Sequence, residues 1–443
     1  MTGAFDAVVL GAGAAGLAAA VELGRHGRSV CVLEARERVG GRILTRTEPG
    51  IGAPVELGAE FVHGTPAETL GWLRSAGKAV VDLGGQRWRK HGGELRPADD
   101  LFGELKRGLA RVPRPEQDMA FGAFLDGPAR DSLPEHLREF ARTLVEGFDA
   151  ADASRTSALD TLEEWTAGAG ADAPTFRPLG GYASLIDTLT RAIDPTRVSL
   201  RLGAVADSVE WRAGAVSVSG TRHGEAFLVE APQAVVTLPV GVLASAPGSP
   251  GAVQFAPPLD AKRRALAGLA MGAAVKVVLR FREPFWETLD GGRYRNGAFF
   301  HAAEASFPTL WTSLPLRLPV LTAWAGGPRA ARIAAGGEAE TVRLALDSVE
   351  AVFGGGVRAR AALEASYLHD WQSDPFARGA YSYVTVGGAG AQGALAAPLD
   401  DTLFFAGEAA DAGGQSATVA GALASGRLAA IEVVEADARR HRR

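Results

Sequence analysis

The chain of 443 residues holds one cysteine, Cys31, so no disulfide can form within it. That suits a reducing compartment, and Cys31 lies in the apolar run SVCVLE, which reads as a buried strand with an inert thiol. Histidine is also sparse. The eight present are scattered, with no H-x-x-x-H or C-x-x-C spacing, so no metal site is expected. No apolar run reaches the roughly 20 residues that a membrane helix needs. The stretch from Ala7 to Val21 is laced with glycine, ends at Glu22 and has no basic segment before it, so it reads as neither a span nor a signal peptide. A cytoplasmic protein with no membrane contact is expected. There is no positive excess either: 46 basic against 51 acidic residues leave a net charge of −5, which gives no electrostatic reason to bind nucleic acid. The basic tail, Arg439 to Arg443, is read as a solvated end. Internal repeats and heptads are absent. The length allows two domains.

Glycine, by contrast, is abundant at 56 residues, and much of it falls in identifiable turns. DAVVLGAGAAGLAAAVELGRHGRSVCVLEARERVGGRI reads as strand, glycine turn, alanine-rich helix, strand. Gly11 permits the tight turn, Gly13 lets backbone approach a pyrophosphate, and Gly16 lets the helix pack closely on the sheet. The helix N-terminus, with Ala15 in its first turn, then faces the phosphates with unpaired N–H groups. Glu34 closes the second strand, where a carboxylate can accept from a ribose diol. These features point to a bound dinucleotide, either NAD or FAD. Arg36 and the run Gly40-Gly41-Arg42 follow, a second close backbone approach with cations for phosphate.

A different stretch poses a question. AAVKVVLRF, residues 273–281, reads as a strand with Val275, Val277, Leu279 and Phe281 on one face and Lys276, Val278 and Arg280 on the other. Taken alone, the second face would meet water.

The E-x-R-x-x-x-G-G-R segment from Glu34 to Arg42 resembles the FAD-binding segment of glutathione-reductase-like flavoproteins. Further segments extend the likeness to the flavin-dependent amine oxidases, which include monoamine oxidases, polyamine oxidases and lysine-specific histone demethylases. ELGAEFVHG (Glu56 to Gly64) resembles the substrate-entrance motif of polyamine oxidases, and PLGGYASLIDTL (Pro178 to Leu189) the family's glycine-pair helix start. The central stretch (Val235 to Ser245, Val253 to Trp286), DWQSDPFARGAYSYV (Asp370 to Val384) and LFFAGEAADAGGQSATVAGALASGRLAA (Leu403 to Ala430) complete the series in family order. No long helical hairpin is inserted, which disfavours the chromatin-bound demethylase branch.

The resemblance implies an α/β and α+β fold: a discontinuous Rossmann-like FAD domain (1–83, 178–252, 396–443) and a substrate domain with a mixed sheet and helices (84–177, 253–395). The glycine- and proline-rich stretches Arg111 to Asp118, Ala246 to Asp260 and Gly387 to Pro398 are expected as exposed connections. Cofactor contacts are implied for Gly11, Gly13, Ala15, Gly16, Glu34, Ala35, Arg36, Gly40, Gly41, Arg42, Gly58, Ala59, Glu60, Phe61, Val205, Trp371, Gly407, Glu408, Thr418 and Val419. Lys276 matches the lysine that holds a water near flavin N5, and Tyr381 the aromatic ring flanking the amine. Thr418 stands near the place of a second aromatic wall. Glu60 is expected to pair with a distal substrate ammonium and His63 to hydrogen-bond a substrate amine. No cysteine lies in the C-terminal region where monoamine oxidases attach flavin, so the FAD is expected to be non-covalent. A small amine, with a di- or polyamine favoured, and oxygen are the implied partners, and a homodimer is allowed. The alternatives are an L-amino-acid oxidase or desaturase on the same scaffold, and a flavin-bearing interaction protein without oxidase activity.

Overall fold

Four consecutive apolar residues, Ala7–Leu10, cannot alternate between core and water, and they form a strand buried on both faces. The computed structural model describes residues 5–98, 100–167, 174–354 and 356–440. Around Ala7–Leu10 stands a five-stranded parallel sheet in the order Val198–Arg201, Val30–Leu33, Ala7–Leu10, Gln233–Val236, Leu403–Phe405. Segments hundreds of residues apart are thus neighbours in one sheet. The helix Ala14–Arg25 leaves the first strand and packs against the long helix Val419–Arg440. Small residues set that distance: a Cβ on Gly426 would stand 2.1 Å from the Ala15 carbonyl oxygen.

A second sheet has seven strands, ordered Leu363–Tyr367, Ala274–Phe281, Val320–Gly326, Thr309–Thr312, Gly297–His301, Gln86–His91, Glu94–Pro97. All its pairs are antiparallel except Gln86–His91 beside Gly297–His301, so the sheet is mixed. Val275, Val277, Leu279 and Phe281 pack with Ala345, Leu346 and Val349 of the helix Gly337–Phe353. Short helices between Leu101 and Ala167 form a separate core around Phe121, Phe124, Val145 and Trp165.

Three expectations need correction. The stretch Gly387 to Pro398 contains the helix Ala391–Ala396, because the buried Lys262 ammonium donates to the Ala394 carbonyl at 2.9 Å and to that of Ala397. The strand Gln254–Ala256 lies parallel to Ala204–Arg212, so that sheet crosses the expected boundary at 252. In the basic tail, Arg440 is tied down, donating to Thr402 Oγ1 at 3.0 Å, while 441–443 lie outside the described residues. No helix among the described residues is long and apolar enough to cross a membrane.

Candidate active site

One cavity of about 570 Å³ opens between the two sheets. Every residue singled out above as a site candidate lines it except Gly16. Gly16 acts from behind: a Cβ there would stand 1.9 Å from the Gly11 carbonyl oxygen, closing the approach of helix to turn. Gly11 itself has φ +102°, open to glycine at low strain.

The half of the cavity beside the parallel sheet is built largely from backbone. The helix Ala14–Arg25 begins at Gly13, whose missing side chain offers no cap, so its first amides are left for a ligand. Glu34 is buried; one oxygen accepts from the Ala12 amide at 2.8 Å and the other from the Arg36 amide at 3.0 Å. A carboxylate has about four acceptor positions, so it can still take a diol. Arg42 donates to Glu408 at 2.7 Å and to the Ala380 carbonyl at 2.8 Å, and Glu408 also accepts from the Ser382 hydroxyl at 2.6 Å. Trp371 is fixed by its indole N–H on the Leu57 carbonyl at 2.9 Å. An uncapped helix end, glycines at the turn and a ribose-competent acid suit FAD, which these residues would hold.

Lys276 does not meet water. It is 5% exposed, and its ammonium reaches Glu60 Oε2 at 2.6 Å and the Gly58 carbonyl at 3.0 Å. Glu60 is held on its other oxygen by Arg177 at 2.7 Å and by the Trp311 indole N–H at 3.1 Å. Burial alone would raise the Glu60 carboxyl, but Lys276 and Arg177 outweigh it and hold its pKa below the usual range. This corrects the expectation for Glu60. Two cations already offset its charge, so it is not a free counter-charge for a substrate. Thr418 is corrected too. Its hydroxyl accepts from the Gly421 amide at 3.1 Å and donates to the Gln415 carbonyl at 2.6 Å, so it caps the helix Val419–Arg440 and supplies no second wall.

Tyr381 donates its hydroxyl to the Phe148 carbonyl at 2.6 Å, which fixes the ring within the cavity. His63 packs edge-on against Phe148 at 5.3 Å between ring centroids, and burial, then the Arg87 charge, lowers its pKa to about 4. At neutral pH it is an uncharged imidazole.

Beyond Phe148 the wall is acidic. Asp149 follows it in the chain, and Asp160 and Glu164, four apart on the helix Ala158–Ala167, also line the cavity. Glu164 is the most exposed of the three. Burial, then neighbouring carboxylates, pushes Glu164 up to about 7 and Asp160 to about 6, and raises Asp149 well above its ordinary value. Among the described residues no cation pairs with any of the three. Sequence reasoning missed this group and also Arg177 and Trp311. The i, i+4 spacing of Asp160 and Glu164 was visible, but nothing local said that this helix face turns inward.

The chain is similar to known proteins along nearly its whole length. Residues 14–434 match the family model for flavin containing amine oxidoreductase. Polyamine oxidase 4 of Oryza sativa subsp. japonica is 27% identical over 96% of this chain and 88% of its own. Lysine-specific histone demethylase 1 homolog 3 of Arabidopsis thaliana is also 27% identical over 97% of this chain, which covers only 30% of the demethylase. Among solved structures, wild-type putrescine oxidase bound to putrescine superposes with TM-score 0.79 at 22% identity, covering 98% of this chain and 100% of that one. Cyclohexylamine oxidase from Brevibacterium oxydans IH-35A superposes with TM-score 0.79 at 23% identity over 98% and 99% of the two chains. At those identities the superpositions speak for the fold alone.

Proposed function

The chain belongs to the flavin-containing amine oxidoreductases, FAD enzymes that oxidise amines, and from that premise we propose that its substrate is a small primary or secondary amine carrying a second positive charge. The observation that carries the choice of substrate is the group Asp149, Asp160 and Glu164, which lines the cavity with no cation of its own among the described residues. Three desolvated carboxyls lose less on ionising when an ammonium enters, so binding of a distal cation is coupled to proton release. The reaction yields an imine, which hydrolyses to an aldehyde or ketone, and two electrons pass on to oxygen as hydrogen peroxide.

Bound FAD supplies the acceptor for the hydride on the carbon beside nitrogen. The protein's part is placement and dryness. The aromatic walls exclude water and disfavour an ammonium at the reacting position, so the amine presents its lone pair. The Tyr381 ring orients that nitrogen, its hydroxyl anchored on Phe148. Lys276, locked by Glu60, is a fixed positive charge in the cavity that would favour the electron density a bound flavin gains on reduction. Gly11, Gly13, Glu34, Arg42 and Glu408 would hold the cofactor, and without a covalent bond through cysteine, since the sole cysteine is buried in the strand Val30–Leu33.

Anaerobic titration tests the reading. A diamine such as putrescine should bleach the flavin at lower concentration than a monoamine of equal length. Equal concentrations would remove the second-charge requirement. Heat or acid denaturation should release yellow cofactor into the supernatant, and flavin retained in the pellet would show a covalent link.

A further inference from the structure

The cavity also carries a positive group: Arg87 lines it together with His63 and His301. Arg87 is exposed and lines the cavity with its guanidinium over the Phe299 ring at 5.4 Å, and among the described residues no carboxylate pairs with it. His301 Nδ1 lies 3.3 Å from the Thr309 hydroxyl, and burial, then Arg87 and Arg89, lowers its pKa to about 4. Both imidazoles are therefore neutral, each with one N–H to donate. A guanidinium lacking an anion, flanked by two neutral donors, fits a carboxylate.

Position along the sheet says where on a substrate that carboxylate would be. The cross-strand register runs Val278, Thr322, Trp311, Phe299, Arg87, and Lys276 precedes Val278 by two on the same face. Four inter-strand steps of about 4.8 Å set the backbones of the first and last strands roughly 19 Å apart. The floor between them is aromatic: Trp311 lies 5.6 Å from the Lys276 ammonium and 6.3 Å from Phe299, with Phe61 5.4 Å from Trp311. An apolar lane joins the reacting position to Arg87.

We propose that Arg87, with His63 and His301, forms an anion subsite for a carboxylate at the far end of an extended amine substrate. This rests on the amine-oxidase reading and adds an ω-amino carboxylate, or a polyamine bearing such a group, to the amines accepted. An α-amino acid is a poor fit, because its carboxylate adjoins the reacting carbon while Arg87 lies across the sheet.

The test uses the holoenzyme and two homologous series, ω-amino carboxylates and n-alkylamines of equal length from five to twelve carbons. Calorimetry gives affinity and peroxide release gives kcat/KM. The preference for the carboxylate should rise with length and peak in the longer members at about threefold to tenfold, the size suited to a rim-exposed charge pair. Arg87→Met should abolish that preference, and Arg87→Lys, which keeps the charge without the fork, should restore part of it. A preference absent at every length in the wild type, or unmoved by Arg87→Met, overturns the subsite. If no amine in either series reduces the flavin, the oxidase reading fails separately, and the calorimetric ratio still decides the subsite.

Discussion

The two halves of the cavity are made in different ways. On the parallel-sheet side, contacts come from backbone: a helix end starting at Gly13, the Gly11 turn with φ +102°, the close pass of Gly40 beside it. On the seven-stranded side, contacts come from long side chains, Lys276, Glu60, Arg177, Trp311 and Arg87, brought together across strands. The first half recognises a group common to many enzymes and tolerates almost no added atoms. The second is a surface of charges whose arrangement distinguishes one amine from another. Backbone sites should therefore fail outright when altered, and side-chain sites should fail by degrees.

The largest effect is expected at Gly16. In Gly16→Val the new Cβ meets the Gly11 carbonyl at 1.9 Å, with no flexible side chain to yield. Flavin content, read from the visible to ultraviolet absorbance ratio of purified protein, should drop by at least about tenfold, because helix end and turn can no longer hold the pyrophosphate together. Full occupancy would break the contrast drawn above.

Lys276→Met comes next. It leaves FAD bound, since Lys276 touches none of Gly11, Gly13, Glu34, Arg42 and Glu408, but it strips Glu60 of one of two cations. Turnover should fall about tenfold to a hundredfold through loss of a fixed charge in a dry site. The melting temperature should fall as well, because a buried carboxylate has lost a partner. Wild-type rates in both flavin reduction and reoxidation by stopped flow would leave Lys276 as a structural residue.

The difference between the halves also explains what could be read in advance. The cofactor side was legible because GxGxxG, Glu34 and Gly40-Gly41-Arg42 sit within one βαβ unit, where spacing in sequence is spacing in space. The parallel sheet was legible from continuous apolar runs such as AVVL. The substrate side was not. Lys276 meets Glu60 over more than two hundred residues of chain, and Arg177 joins them from a third segment. Glu60 thus read as a free acid, although the fold had already given it two cations. Thr418 stands just before the last helix in the sequence, but only the helix start seen in three dimensions makes its hydroxyl a cap.

A smaller effect should appear on the acidic wall. Glu164→Gln should raise KM for a diamine about threefold to tenfold with kcat little changed, the pattern of lost ground-state binding. The same mechanism fixes a sign with pH. Glu164 sits at about 7 and Asp160 at about 6, near Asp118 and Glu163, so these carboxyls gain charge as pH rises through that window. KM for the diamine should fall from pH 6 to pH 8 beyond any fall seen with a monoamine, and Glu164→Gln should flatten the extra fall. Parallel profiles for the two amines would remove the acidic wall from substrate binding.

The smallest effect lies at the seam between the two halves. Glu56 is buried, accepting from the Tyr182 amide at 2.7 Å and the Thr45 hydroxyl at 2.8 Å, and it joins the strand pair Thr45–Thr47 and Pro54–Glu56 to the start of the helix Ala183–Ala192. Burial outweighs the nearby Lys276 charge and pushes its carboxyl up to about 7. The folded state therefore binds a proton that the unfolded chain releases at its ordinary value of 4.5. Its contribution to stability is fully present below that value and is lost as pH rises through about 7. Glu56→Gln holds the neutral form at every pH and keeps an acceptor for Tyr182. Between pH 6 and pH 8 the wild type should lose about 1 kcal/mol of stability relative to this variant. Urea unfolding of both proteins at the two pH values measures the difference. Identical pH slopes would mean that Lys276 keeps Glu56 ionised, placing it with the charged network of the substrate half rather than with the neutral, backbone-bound groups of the cofactor half.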